Sequence, residues 1–183
     1  MKLAIGLGIA ICVSLAAADT SEMVPPAGPG VFTAKQVSPG TFKLVVAGHI
    51  FTSRGDIEKY LAYRCARLTI EQTADWFTFK EAREKGETAE AIPVRDPDGP
   101  RYSFRMKYFR PVWHYKVNES AEWTRWSPFS GAPFISADPK TVAGFEVSAE
   151  ISLHKAPMDD ADPLAFEARA LSDLLVNQVS PPK

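Results

Sequence analysis

Gly144-Phe-Glu-Val-Ser-Ala-Glu-Ile-Ser-Leu-His154 sets Phe145, Val147, Ala149, Ile151 and Leu153 on one parity and Glu146, Ser148, Glu150 and Ser152 on the other. A period of two marks a strand with one apolar and one polar face. Such a strand belongs to an antiparallel sheet that packs one face on a core and turns the other to water. Its edges need partner strands and its apolar face needs a cover.

Both are found along the chain. Thr41 to Ile50 alternates in the same way, with Phe42, Leu44, Val46 and Gly48 against Lys43, Val45, Ala47 and His49. Ser53, followed three residues later by Asp56, has the spacing of a capping box. It opens a helix to about Gln72 whose apolar stripe is Ile57, Leu61, Cys65 and Leu68, with Tyr60 and Arg64 beside it. Cys65 on that stripe reads as a small buried hydrophobe. The Arg54-Gly55-Asp56 triplet reads as the helix's first turn rather than an adhesion signal. Asp75 to Lys80, with Trp76, Phe77 and Phe79, is a second strand, and Tyr102 to Arg110 a third that Pro111 ends. If that third strand lies beside 144–154, Arg105 and Lys107 face Glu146 and Glu150. Asp162-Pro163 resembles an N-cap followed by a first-turn proline. It opens a last helix with Leu164, Ala168, Leu171 and Leu175 on its stripe and Leu174 alongside, and Asp159, Asp160 and Asp162 complement its positive end. The order β-α-β-β-β-α predicts an α+β fold for residues 41–179. The form expected is a two-layer sandwich, an antiparallel sheet of four or five strands with two helices on one face.

The N-terminal part has a different character. Lys2, the apolar run Leu3 to Leu15 and Ala16 to Ala18 form a signal peptide over residues 1–18, cut between Ala18 and Asp19. The reading is of a protein exported to the bacterial periplasm or envelope, with no transmembrane segment in the mature chain. Lipid anchoring at Cys12 is disfavoured against release, because Ile11 before it is not small. Residues 19–40 carry Pro25-Pro26, Gly28-Pro29-Gly30 and Ser38-Pro39-Gly40 and are expected to be a disordered or extended arm. With the signal removed, Cys65 is the only cysteine, so no internal disulfide forms. Lys and Arg number 21 against 22 Asp and Glu, a net charge of −1. That balance shows no footprint for nucleic acid or an anionic membrane and argues against a polyanion partner.

Catalytic signatures are missing: no phosphate-cradling glycine loop, no Gly-x-Ser-x-Gly elbow, no His-Glu-x-x-His and no paired cysteines. No cofactor or metal is expected. Asp96-Pro97-Asp98-Gly99 reads as a turn rather than a calcium loop, and the aspartates near 160 have no histidine at ligand spacing. His49 and His154 lie on the polar parity of their strands and approach each other if those strands are neighbours, although a solvated sheet face is enough to explain both. What stands out is the segment 108–134, with Trp113, His114, Tyr115, Trp123, Trp126, Phe129 and Phe134 in a proline-broken connection. So many aromatic side chains need burial or a partner. One reading folds the segment back as a hairpin or lid that seals the core. The other makes it a recognition surface for a glycan or an envelope protein, with Arg110, Trp113, Tyr115, Trp123, Arg125 and Trp126 as contact residues. The function expected is non-enzymatic, binding or structural. The alternative, a hydrolase or other enzyme acting on envelope material, requires a histidine within reach of a carboxylate.

Phe42-Lys-Leu-Val-Val-Ala-Gly48 with Thr52-Ser53, then Tyr60-Leu-Ala-Tyr-Arg-Cys-Ala-Arg-Leu-Thr69 and Asp75-Trp-Phe77, and later Ala149-Glu-Ile151 with Ala165-Phe-Glu-Ala-Arg169, resembles a family of small exported bacterial lipoproteins of uncharacterised function. The resemblance covers about Phe42 to Leu175 and is poor through the aromatic middle. It implies an envelope location and no known activity, catalytic residue or cofactor.

Overall fold

The computed structural model describes residues 31–50, 53–80, 109–118, 122–126, 142–158 and 162–183. In chain order the elements are β1 (Val31–Ser38), β2 (Thr41–Gly48), α1 (Arg54–Glu71), β3 (Trp76–Lys80), β4 (Val112–Lys116), β5 (Thr124–Trp126), β6 (Gly144–His154), β7 (Ala165–Glu167) and α2 (Ala168–Leu175). The fold is α+β with two helices and an open antiparallel sheet. Among the described residues the sheet has seven strands rather than the four or five expected, in the order β1-β2-β6-β3-β7. β4 also lies beside β6, and β5 lies beyond β4.

The alternation of β6 is realised. Phe145, Val147, Ala149 and Ile151 are buried and join Phe42, Leu44 and Val46 of β2, Phe77 and Phe79 of β3, and the stripes of both helices in one hydrophobic cluster. On one edge β6 pairs with β2 from Phe145↔Gly48 to Ser152↔Thr41. Its other edge is shared. β3 takes the stretch from His154↔Trp76 to Glu150↔Lys80, and β4 takes Ser148↔Val112 to Gly144↔Lys116. The two short strands thus lie end to end, with Ala149 alone between their partners. Glu150 forms its ion pair with Lys80, at 2.7 Å. The strand expected over Tyr102 to Arg110, and with it Arg105 and Lys107, falls outside the described residues except for Phe109 and Arg110.

Three expectations need correction. The arm over 19–40 is shortened, since Val31–Ser38 pairs with β2 from Val31↔Ala47 to Ser38↔Thr41; residues 19–30 lie outside the described residues. Prolines and glycines on either side of this stretch hide a strand whose inward side chains are few. Ala34 enters the core, and Phe32 carries the Arg64 guanidinium of α1 3.9 Å from its ring centroid. The last helix begins later than Pro163. Asp162 Oδ1 accepts the N–H of Leu164 at 2.8 Å in a local turn, Ala165–Glu167 then pairs with β3, and Glu167 caps α2 by accepting from Ala170 N–H. Ala168, Leu171 and Leu175 are buried as expected, but Leu174 faces solvent. Asp159 and Asp160 fall outside the described residues.

Helix α1 follows its sequence signals at both ends. Ser53 Oγ accepts the Asp56 N–H at 3.1 Å. Ile57, Leu61, Cys65 and Leu68 are all buried, and each large aliphatic member contributes roughly 1.5–3 kcal/mol by leaving water. At the other end Ala74 N–H reaches Thr69 O and Thr73 N–H reaches Ile70 O, a Schellman motif with Thr73 at φ 58 where glycine is usual. A β-branched residue is strained in that conformation. Thr73→Gly is therefore expected to raise stability by up to about 1 kcal/mol in urea unfolding.

Gly48 closes the sheet end. A Cβ there would stand 2.7 Å from Phe145 Cζ and 2.9 Å from the Lys183 carbonyl, which accepts N–H bonds from His49 and Ile50. Gly48→Ala should destabilise the protein by about 1–3 kcal/mol, as overpacking does, and a midpoint unchanged in urea would contradict this packing.

Candidate functional site

The aromatic segment enters the sheet as the hairpin of β4 and β5, and the period of two sorts its side chains. Trp113, opposite Val147 on β6 and Trp126 on β5, turns to the core and is 1% exposed. Its indole N–H donates to Glu58 Oε1 of α1 at 3.1 Å. Trp126 is half-buried and meets Trp113 edge to face, with ring centroids 5.4 Å apart and planes at 68°. Tyr115 is half-buried opposite Phe145, and Arg110 is half-buried next to the core residue Phe109. Trp113 is thus a core residue and not a contact residue, because its strand parity points it at α1.

On the other parity Val112, His114 and Lys116 are half-buried. Arg125 is exposed opposite His114, which itself lies opposite Glu146. Just before β5, Trp123 is 47% exposed, with Lys116 Nζ 5.5 Å from its ring centroid. The Lys116 stem lies over Gly144, where a Cβ would come within 3.0 Å of Lys116 Cε. Of the six expected contact residues, Trp123 and Arg125 are exposed, Arg110, Tyr115 and Trp126 half-buried and Trp113 buried, while Lys116 beside Trp123 is half-buried. The remainder of the segment, 108, 119–121 and 127–134, falls outside the described residues. A cleft of about 220 Å³ opens nearby on the polar side of the sheet where β3 gives way to β4, lined by Lys43, Lys80, Val112, His114 and Glu150 among others.

The histidines do not assemble. His49 Nδ1 lies 3.1 Å from Ala143 O at one end of β6, whereas His154 at the other end stacks on Trp76 at 4.2 Å and meets Thr78 Oγ1 at 3.0 Å. β2 and β6 are neighbours but antiparallel, which sets these two residues at opposite ends. Among the described residues no histidine is hydrogen-bonded to a carboxylate, and no three His, Cys, Asp or Glu gather as metal ligands. Cys65 is fully buried and its thiol pKa is pushed up by that burial, as suits a core residue. Comparison of the chain with protein-family models, with curated proteins and with solved structures finds no match.

The buried Glu58 escaped sequence reading, although it extends the helical stripe of Leu61, Ala62 and Cys65 by one position. Burial raises its pKa from 4.5 to about 7, against the opposing pull of Arg54, whose Nε is 3.4 Å from Oε1, and of the Trp113 hydrogen bond. A raised carboxyl pKa means the folded state holds the proton more tightly than the unfolded state does. That contribution is complete below pH 4.5 and lost as pH rises through about 7. At about 1.4 kcal/mol per unit, its loss amounts to at most roughly 3–4 kcal/mol. Urea unfolding should show stability falling between pH 5 and 7.5, and Glu58→Gln should flatten the profile while keeping an acceptor for Trp113. A wild-type profile already flat across this range would refute the assignment.

Proposed function

We propose that the protein is a non-enzymatic binding module of the bacterial envelope and that its contact surface is the open side of the β4–β5 hairpin. The fold we infer is a two-layer one, with both helices on the core side of the sheet and the polar side left for a partner. The shared cluster of helix and strand side chains supports it. The observation that carries the function is Trp123. A tryptophan half in water just before β5, with Lys116 against its ring and Arg125 two residues on, is a surface residue. Rings of this kind anchor partners, by stacking on a sugar or filling a pocket in another protein. The signal peptide over residues 1–18 and the resemblance to exported lipoproteins supply the location, with release after cleavage between Ala18 and Asp19 preferred to anchoring at Cys12.

Co-sedimentation with isolated envelope sacculi tests the surface. The wild type is expected to pellet with them, Trp123→Ala to remain largely in the supernatant, and Val176→Ala, a distant exposed control, to behave as wild type. Pelleting that is absent, or indifferent to Trp123, would remove the hairpin as the contact surface. The address is checked by mass spectrometry of the exported protein. A mature N-terminus at Asp19 is expected, and a lipid-modified Cys12 would replace release with anchoring.

A further inference from the structure

The near-neutral charge of the whole chain conceals a local excess on the polar side of the sheet. The strand registers place Lys35 opposite Lys43, Lys43 opposite Glu150 and Glu150 opposite Lys80, so that these four side chains form one row across β1, β2, β6 and β3. Four residues further along β6 comes the row Ala47, Glu146, His114 and Arg125, and beyond it Lys116 beside Trp123. On this side five cationic side chains, Lys35, Lys43, Lys80, Lys116 and Arg125, meet three acidic ones, Glu146, Glu150 and Glu167, the last of which caps α2. Lys80 already takes Glu150, at 2.7 Å. Among the described residues neither Lys35 nor Lys43 has an ion-pair partner. Like charges directly opposite on neighbouring strands are destabilising, and an anion bound between them relieves that cost. The cleft at the β3–β4 junction opens beside Lys43, with the Glu150 carboxylate in its wall taken up by Lys80, and offers such an anion a recess. From this row to the Trp123 row is six residues of β6, roughly 20 Å at a strand's rise, a span of several sugar rings.

We propose that the polar side of the sheet binds an anionic glycan, with carboxylate or phosphate groups held by Lys35 and Lys43 and a sugar ring stacked on Trp123. This deepens the binding role of the β4–β5 hairpin and rests on it. The charge favours an anion, the separation favours an extended chain over a small molecule, and the open indole at the far end favours a sugar over a purely ionic surface.

The experiment is calorimetric titration of the purified full chain with polygalacturonate, phosphomannan, dextran and polyglutamate, alongside sedimentation with phosphatidylglycerol vesicles. Polygalacturonate or phosphomannan is expected to bind and dextran not to, with affinity falling about tenfold or more as salt rises from about 0.05 to 0.5 M. Lys35→Glu with Lys43→Glu should abolish binding, and Trp123→Ala should weaken it about tenfold. Circular dichroism checks the fold of the variants. Lys35→Glu alone sets an acid opposite Lys43, so its melting temperature should hold or rise, and Lys35→Gln with Lys43→Gln provides a milder loss of charge should the double reversal misfold. The proposal is overturned if neither charged glycan binds, if the lysine variants bind as wild type, or if polyglutamate or vesicles bind as tightly without need of Trp123. Dextran binding that needs Trp123 but not the lysines would overturn the anionic specificity while leaving the hairpin as a contact surface. Failure with every probe, together with sacculi that ignore Trp123, would take both readings down.

Discussion

Strand β6 has neighbours along both edges, β2 on one and β3 followed by β4 on the other, and this double pairing ties every other element to one register. A slip of one residue against either neighbour would turn Phe145, Val147, Ala149 and Ile151 to water and drive Glu146 and Glu150 into the core. The cost of that exchange is what holds the sheet together. It also decides where the helices rest, because the side chains of α1 and α2 complete the cluster that these four residues begin. Even the polar contact inside the core follows from it, since Trp113 reaches Glu58 only while it stays opposite Val147.

The same register divides the aromatic segment between two tasks. Trp113 and Trp126 face each other across the hairpin on the core parity, and His114 and Arg125 face each other on the opposite one. A single turn of hairpin thus contributes to the interior and to the surface at once. That is why the two readings of this segment, a seal for the core or a surface for a partner, are not exclusive: each describes one parity of the same strands. The polar side owes its lysine row to pairing as well, for Lys35, Lys43 and Lys80 are far apart in the chain and meet only through β2 and β6.

What the sequence revealed, and what it withheld, follows from the range of the forces involved. Alternation in β6 and β2 and the caps of α1 are local, and they were legible to within a residue or two. β1 stays hidden in the sequence because the glycines and prolines around it outweigh the weak alternation of an edge strand half exposed to water. The start of α2 was misplaced because Asp162 bonds the N–H of Leu164 in a turn that imitates a helix cap, while β3 claims Ala165–Glu167 for the sheet. At the candidate site, parity could have separated Trp113 from Arg125 had the hairpin been located, but three residues of β5 give too short a run to show a period. Glu58 illustrates the opposite limit. Its stripe position was visible, yet only the approach of a tryptophan from 55 residues away makes a buried carboxyl there intelligible.

The end-to-end placement of β3 and β4 along β6 has a consequence for how such a protein diversifies. β3 ends at Lys80 and β4 begins at Val112, with one residue of β6 between their partners. In topological terms the two strands are one strand with a parenthesis. Each half of this edge is registered on its own against β6, with Ala149 belonging to neither, so a change in the pairing of one half leaves the hydrogen bonds of the other where they are. The junction is also where the cleft lies, beside Lys43 and Lys80. The two halves of the edge can therefore change separately at the mouth of the cleft while β2, on the far edge of β6, keeps the scaffold in register.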